Sequence, residues 1–295
     1  MRRQSVNLNR QNKIHNGKKQ MIWLSTPYIG WSLLFVVIPL CMVLYYGLTT
    51  DTWSFTFANV THINEPGYMK ALVRSVELAV IATIVCFLLA YPLGMILRSM
   101  HLSRNGFIIT LFILPMWMNF LLRTLTWMTL LEGSGVINGI LDVLHLPNIH
   151  IINTPAAIVL GMVYNYLPFM ILPIYTALNN IDEDLLNASR DLGAGELQTF
   201  CKVTFPLSLP GVGSGVTMVF IPALTTFAIS SMLGGSKIML IGNVIEQEFT
   251  SLYDWHLGSG ISIILMVVII INMMLNIAFD AKEERQTKTI KGGKR

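Results

Sequence analysis

Charge is scarce in this chain. Asp, Glu, Lys and Arg make up 12 % of its 295 residues and apolar residues 53 %, whereas soluble domains carry about a quarter charged residues. That excludes an ordinary water-solvated chain and leaves lipid as the solvent. Cysteine is scarce too. Cys41 and Cys86 fall inside apolar runs and Cys201 in a polar one, which excludes a disulfide framework. No G-x-x-x-x-G-K-[ST] is present, so ATP is not bound by that route. Gly133-Ser134-Gly135 and Gly258-Ser259-Gly260 lack the spacing of a nucleophile elbow. The six histidines form no H-E-x-x-H, and His145 and His150 merely flank Pro147. A membrane-embedded enzyme would need a nucleophile or metal cluster that is not legible here. No basic–aromatic interleaving suggests nucleic acid, and no repeat of fixed period suggests an inverted-repeat, ion-coupled transporter.

Long apolar runs are plentiful. At about 20 residues per crossing, six spans are expected: Met21–Leu48, Ala71–Leu97, Gly106–Leu131, Pro155–Leu178, Val212–Leu233 and Ser259–Phe279. The first follows a basic leader, exceeds a signal-peptide core and has no small-residue cleavage site after it, so it reads as an uncleaved helix. Lys and Arg concentrate in the leader, the second and fourth loops and the tail. The other loops hold only Lys70 and Lys237, with Arg74 at a span edge. Positive-inside logic then puts both termini in the cytoplasm of a multi-pass protein of the cell membrane. The expected division is a basic leader (1–20), a first helix with its outer loop (21–70), a five-helix unit (71–280) and a basic tail (281–295) suited to anionic lipid. Each of the first five spans contains proline: Pro39, Pro92, Pro115, Pro168 with Pro173, and Pro222. These read either as packing kinks or as broken backbone along a translocation path.

One polar segment, about 180–210, interrupts the fourth and fifth spans. Asp182, Glu183 and Asp184 suit the positive end of a helix. Ile181, Leu185, Ala188 and Leu192 follow at helical spacing. Gly193 permits a left-handed stop. A second stretch from about Glu196 carries Leu197, Phe200 and Val203 on one side, and Pro206 and Pro210 are expected to end it before the fifth span. An acidic first helix is a poor match for anionic lipid, so the pair reads as a knob standing off the membrane.

This segment resembles the signature loop of permease subunits of ATP-binding-cassette (ABC) importers: Glu-Ala-Ala, three residues, Gly, nine residues, Ile-x-Leu-Pro. Here the positions read Asn187-Ala188-Ser189, Gly193 and Val203-Thr204-Phe205-Pro206, with the spacing kept and the opening Glu replaced by Asn. Further stretches (Tyr164-Asn165-Tyr166-Leu167-Pro168-Phe169-Met170, Leu233-Gly234-Gly235-Ser236-Lys237, Leu240-Ile241-Gly242-Asn243 and Asp254-Trp255) resemble B-type permeases of spermidine/putrescine importers over nearly the whole chain. The resemblance implies an all-α, six-helix type I importer fold with a cytoplasmic coupling helix. Asn187, Ala188, Ser189, Arg190, Asp191, Leu192, Gly193, Ala194 and Leu197 would meet a separate ATPase. It implies as partners a second, related permease, two ATPase copies holding ATP and magnesium, and an extracellular polyamine-binding protein, with no cofactor in this chain. The same machine with another cargo (an amino acid, sugar derivative or metal chelate) stays open.

Charges inside spans are functional candidates. Glu77 and Arg123 fall in outer halves of their spans, either as an ion pair or with Glu77 facing a cationic cargo. The outer loops are acidic, with Asp51, Glu65, Glu132, Asp142, Glu246, Glu248 and Asp254, a field that favours a polycation. Asp254 beside Trp255 offers a carboxylate and an aromatic face to an amine, unless Trp255 is an interfacial anchor. Tyr164, Tyr166 and Trp127 either line a path or pack.

Overall fold

A computed structural model describes residues 26–50, 52, 54–99, 114–235 and 237–292. Its principal helices are α1 (Thr26–Gly47), α2 (Pro66–Ser99), α3 (Phe120–Leu131), α4 (Val136–Val143), α5 (Pro155–Asn179), α6 (Glu183–Asp191), α7 (Glu196–Thr225), α8 (Ala228–Leu233), α9 (Ile241–Gln247) and α10 (Trp255–Gly292). Five of them, α1, α2, α5, α7 and the Trp255–Ala278 part of α10, are long and apolar enough to cross a membrane. The expected third span lies partly outside the described residues. Its described end is a 3-10 turn, Leu114–Trp117, followed by the twelve residues of α3, which at 1.5 Å per residue supply only about 18 Å of a crossing. The leader and residues 21–25 and 106–113 also lie outside the described residues.

The bundle is built on α2, α5 and α7, which pack mutually. Lipid provides no hydrophobic drive between helices, so close backbone approach must supply dispersion contacts instead. Along α2 a stripe of small side chains (Ala71, Ser75, Ala79, Ala82, Cys86, Ala90, Gly94) turns inward, all of it buried. On α7, Gly211 and Gly215 do the same work. A Cβ at Gly211 would strike Ala177 and the Pro173 carbonyl, and one at Gly215 would lie 2.6 Å from Met170 Sδ. Around this centre α10 packs on α7 and α1, while α8 lies against α3 and α5. Helix α1 leaves Tyr28, Trp31, Leu34 and Phe35 more than half exposed, a surface suited to lipid or another subunit.

The fifth span departs from expectation. Pro206 and Pro210 do not stop the second stretch of the loop. Helix α7 runs through both from Glu196, ends at Thr225, and is separated from α8 by an extended turn at Thr226. The reason is a π turn at Phe200–Thr204. A proline ring clashes with the carbonyl four residues back, and for Pro206 that is Lys202, inside the widened turn. The first helix repeats the device, with a π turn at Leu33–Val37 containing Phe35, four residues before Pro39. Residues 226–254 then fold back into the bundle, burying Ile229, Leu233, Leu240 and Ile241 completely. Ser75 on α2 accepts a hydrogen bond from the Ile241 amide at 2.7 Å.

Candidate functional site

At one end of the bundle α6 and the start of α7 form the knob. Asp182 caps α6, its carboxylate accepting from the Asp184 amide at 3.1 Å, with Glu183 and Asp184 in the first turn. The other end closes with paired bonds, Gly193 N–H to Arg190 O at 2.8 Å and Ala194 N–H to Ser189 O at 3.2 Å. This is the Schellman arrangement, and it requires the left-handed backbone that Gly193 adopts at φ +82°. The two arms are pinned by Ser189 Oγ to Thr199 Oγ1 at 3.0 Å and, weakly, by Arg190 to Glu196 at 3.5 Å. Arg98 at the end of α2 donates to the Ile181 carbonyl at 3.1 Å, tying the knob to the bundle.

The knob displays apolar surface outward. Leu192 is 88 % and Leu197 76 % exposed, with Leu185 half exposed. Asn187, Ala188, Arg190, Asp191 and Gly193 are exposed as well, while Ser189 and Ala194 are partly buried. Leucines held out on a rigid, capped turn are what a docking surface looks like before its partner arrives.

The path candidates do not form one cluster. Asp254 is exposed and caps α10, its carboxylate accepting from the Leu257 amide at 2.9 Å. Trp255 leans on Phe249 and Tyr46, with ring centroids 5.6 and 6.3 Å away. Beside them is a residue whose sequence context marks it only as one of the loop acids. Glu248 is 4 % exposed and accepts from Tyr68 Oη at 3.2 Å. Burial, and then the Asp254 charge, raise its pKa, with the Tyr68 hydrogen bond opposing them. No periodic pattern flags Glu248, because it opens a π turn, Glu248–Leu252. Trp127 and Tyr164 meet edge to face at 5.3 Å, on α3 and α5. Tyr166 is buried and donates to the Pro222 carbonyl at 3.3 Å, bracing α5 against α7. Glu132 is exposed at the end of α3. The expected Glu77–Arg123 ion pair does not form: among the described residues neither carries a salt bridge, Glu77 being exposed on α2 and Arg123 buried on α3.

A helical bundle with a capped, outward-facing knob at one end has counterparts among solved structures. A chain in the crystal structure of a bacterial alginate ABC transporter with its alginate-bound periplasmic protein superposes with a TM-score of 0.74 over 90 % of this chain and 94 % of that one, at 14 % identity. A chain of the inward-facing MetNI methionine ABC transporter matches with a TM-score of 0.54 over 73 % of this chain and 95 % of that one, at 17 % identity. The fold is that of a multi-pass ABC importer permease. The family model for the binding-protein-dependent transport system inner membrane component matches residues 20–288, and the chain belongs to that family: it is a transport subunit, not an enzyme. Among curated relatives, the spermidine/putrescine transport system permease protein PotB of Escherichia coli K12 is 38 % identical over 249 residues, covering 81 % of this chain and 90 % of its own. That of Haemophilus influenzae is 38 % identical over 265 residues, covering 87 % of this chain and 92 % of its own.

Proposed function

We propose that this chain forms part of the path by which an ATP-driven importer brings spermidine or putrescine into the cell. The similarity to the spermidine/putrescine permeases over most of both chains carries the reading. The acidic end opposite the knob supports it. Glu248, Asp254 and Trp255 combine carboxylates with an aromatic face, the chemistry that holds an amine. Captured substrate arrives there from an extracellular binding protein, so this chain need offer only a weak transit site.

The knob faces the cytoplasm in this reading, as do both termini, and sits in a cleft of one of two ATPase subunits that hold ATP and magnesium. Asn187 to Ala194 and Leu197 make the contact. Closure of that cleft moves α6, and Arg98, the Schellman turn and the continuous α7 carry the motion into the bundle. A second, related permease completes the path. The test is uptake of radiolabelled spermidine, putrescine and one neutral amino acid in cells lacking the gene, with and without its restoration. Loss and rescue of polyamine uptake alone is the expected result. Loss of a different cargo would keep the importer and remove the polyamine assignment.

A further inference from the structure

Helix α7 changes pitch just past the knob. Its π turn, Phe200–Thr204, separates the arm that carries Thr199 from the long apolar run that starts at Phe205, and such turns inside α-helices recur at functional sites. The neighbouring stretch of α2 is softened too, because Pro92 supplies no amide to the Leu88 carbonyl. Tyr91 stands beside that proline and touches α7 across the turn. Its ring meets Phe200, the first residue of the turn, edge to face at 5.8 Å, and Phe205, the first residue past it, at 5.7 Å. Phe87, one turn earlier on α2, backs the ring at 5.6 Å. The Tyr91 hydroxyl lies 2.8 Å from Ser208 Oγ. Ser208 donates its own proton to the Phe205 carbonyl at 2.9 Å, so Tyr91 donates to Ser208. Both residues are buried, Ser208 completely.

We propose that Tyr91 is a positioning residue for coupling: it clamps α7 across the π turn, so that displacement of the knob moves α2 together with α7 instead of being absorbed as a bend in the turn. The clamp matters only if the knob meets the ATPase, the reading on which it rests. The knob arm reaches it directly, since Ser189 on α6 holds Thr199 at 3.0 Å and Phe200 is the next residue. Beyond it α2 and α7 pack on each other and on α5, so a shift delivered here enters the centre of the bundle. Ring contacts alone would let the two helices slide, because dispersion is not directional. The hydroxyl adds a fixed register: a buried donor and acceptor that part company away from water lose a bond they cannot replace.

The experiment uses the full complex in proteoliposomes, with this chain, the second permease, the ATPase and the loaded binding protein. The readouts are cargo moved per ATP hydrolysed and co-purification of the ATPase. Tyr91→Phe keeps the ring and removes the bond. It should lower the cargo-to-ATP ratio about five-fold, the effect of one lost hydrogen bond, with hydrolysis and ATPase content retained. Ser208→Ala should do the same, and the double variant should be no worse than either. An unchanged ratio overturns the proposal. So does a fall of uptake and hydrolysis in step, which marks a purely structural contact, and so do effects that multiply in the double variant. Should Tyr91→Phe fail to assemble, Ser208→Ala decides by the same ratio. Retention of the ATPase by Leu192→Asp with Leu197→Asp would remove the docking reading and the clamp with it. Loss of the ATPase there, with an unchanged ratio at Tyr91, would remove the clamp alone. The ratio is taken for whichever cargo the wild-type complex carries, so the polyamine assignment does not enter.

Discussion

The two ends of this molecule are held by different kinds of contact. At the knob, the bonds that close it join residues close in sequence: Asp182 to Asp184, Gly193 to Arg190, Ala194 to Ser189 and Ser189 to Thr199. The long-range bond from Arg98 to Ile181 only tethers it to the bundle. At the opposite end the bonds span long loops. Ser75 meets Ile241, Tyr68 meets Glu248, and His256 meets the Tyr46 carbonyl. A locally closed knob can move as a unit when pushed. An end stitched from α1, α2, α9 and α10 instead registers any shift of one helix against another.

That contrast can be broken first at Gly193. Gly193→Pro loses the bond to Arg190 and cannot adopt φ +82°, a cost of about 3 kcal/mol or more in a helix-like setting. Uptake should vanish while membrane content, measured by immunoblot, is retained; normal uptake would remove the docking reading. Next, Leu192→Asp with Leu197→Asp changes only exposed side chains, so folding should be unaffected to within about 0.5 kcal/mol. Co-purification of the ATPase should nevertheless fall about ten-fold or more, as for a docking hot spot. Gly215→Leu tests the core between the ends. Overpacking against Met170 should cost about 1–3 kcal/mol and lower the thermal stability of the purified complex without selective loss of the ATPase.

Smaller effects are expected at the acidic end. Asp254→Asn should lower polyamine uptake several-fold with the ATPase still bound; unchanged uptake would leave Asp254 as the cap of α10 alone. Glu248 supplies a pH dependence. Its pKa is raised by burial, so the neutral carboxyl's stabilising share is complete below the ordinary carboxylate range and is lost as pH rises through the raised value. The melting temperature of the complex should therefore decline across that window, and Glu248→Gln should flatten the decline.

The knob was legible because its signals are local. An acidic N-cap, a helical leucine spacing and a glycine stop each act within a few residues, and Gly193 adopts the predicted backbone. Span existence was legible for the same reason, since twenty apolar residues leave the backbone little choice but a helix in lipid. Span ends were less so. The run Val212–Leu233 looked like one crossing, yet the chain breaks at Thr226. Pro206 looked like a stop, yet a π turn absorbs it.

Composition and spacing thus determined a lipid-solvated helical bundle and the capped turn that stands clear of it, because each follows from the solvent or from neighbours along the chain. Only the tertiary structure decided that Glu248 is buried under Tyr68, that Arg123 and Glu77 carry no salt bridge among the described residues, and that residues 226–254 fold back into the bundle. Those outcomes depend on which helix faces which. Small residues such as Ala79, Ala82 and Gly215 set that by how closely two backbones can approach, and a closest approach is a property of a pair of helices.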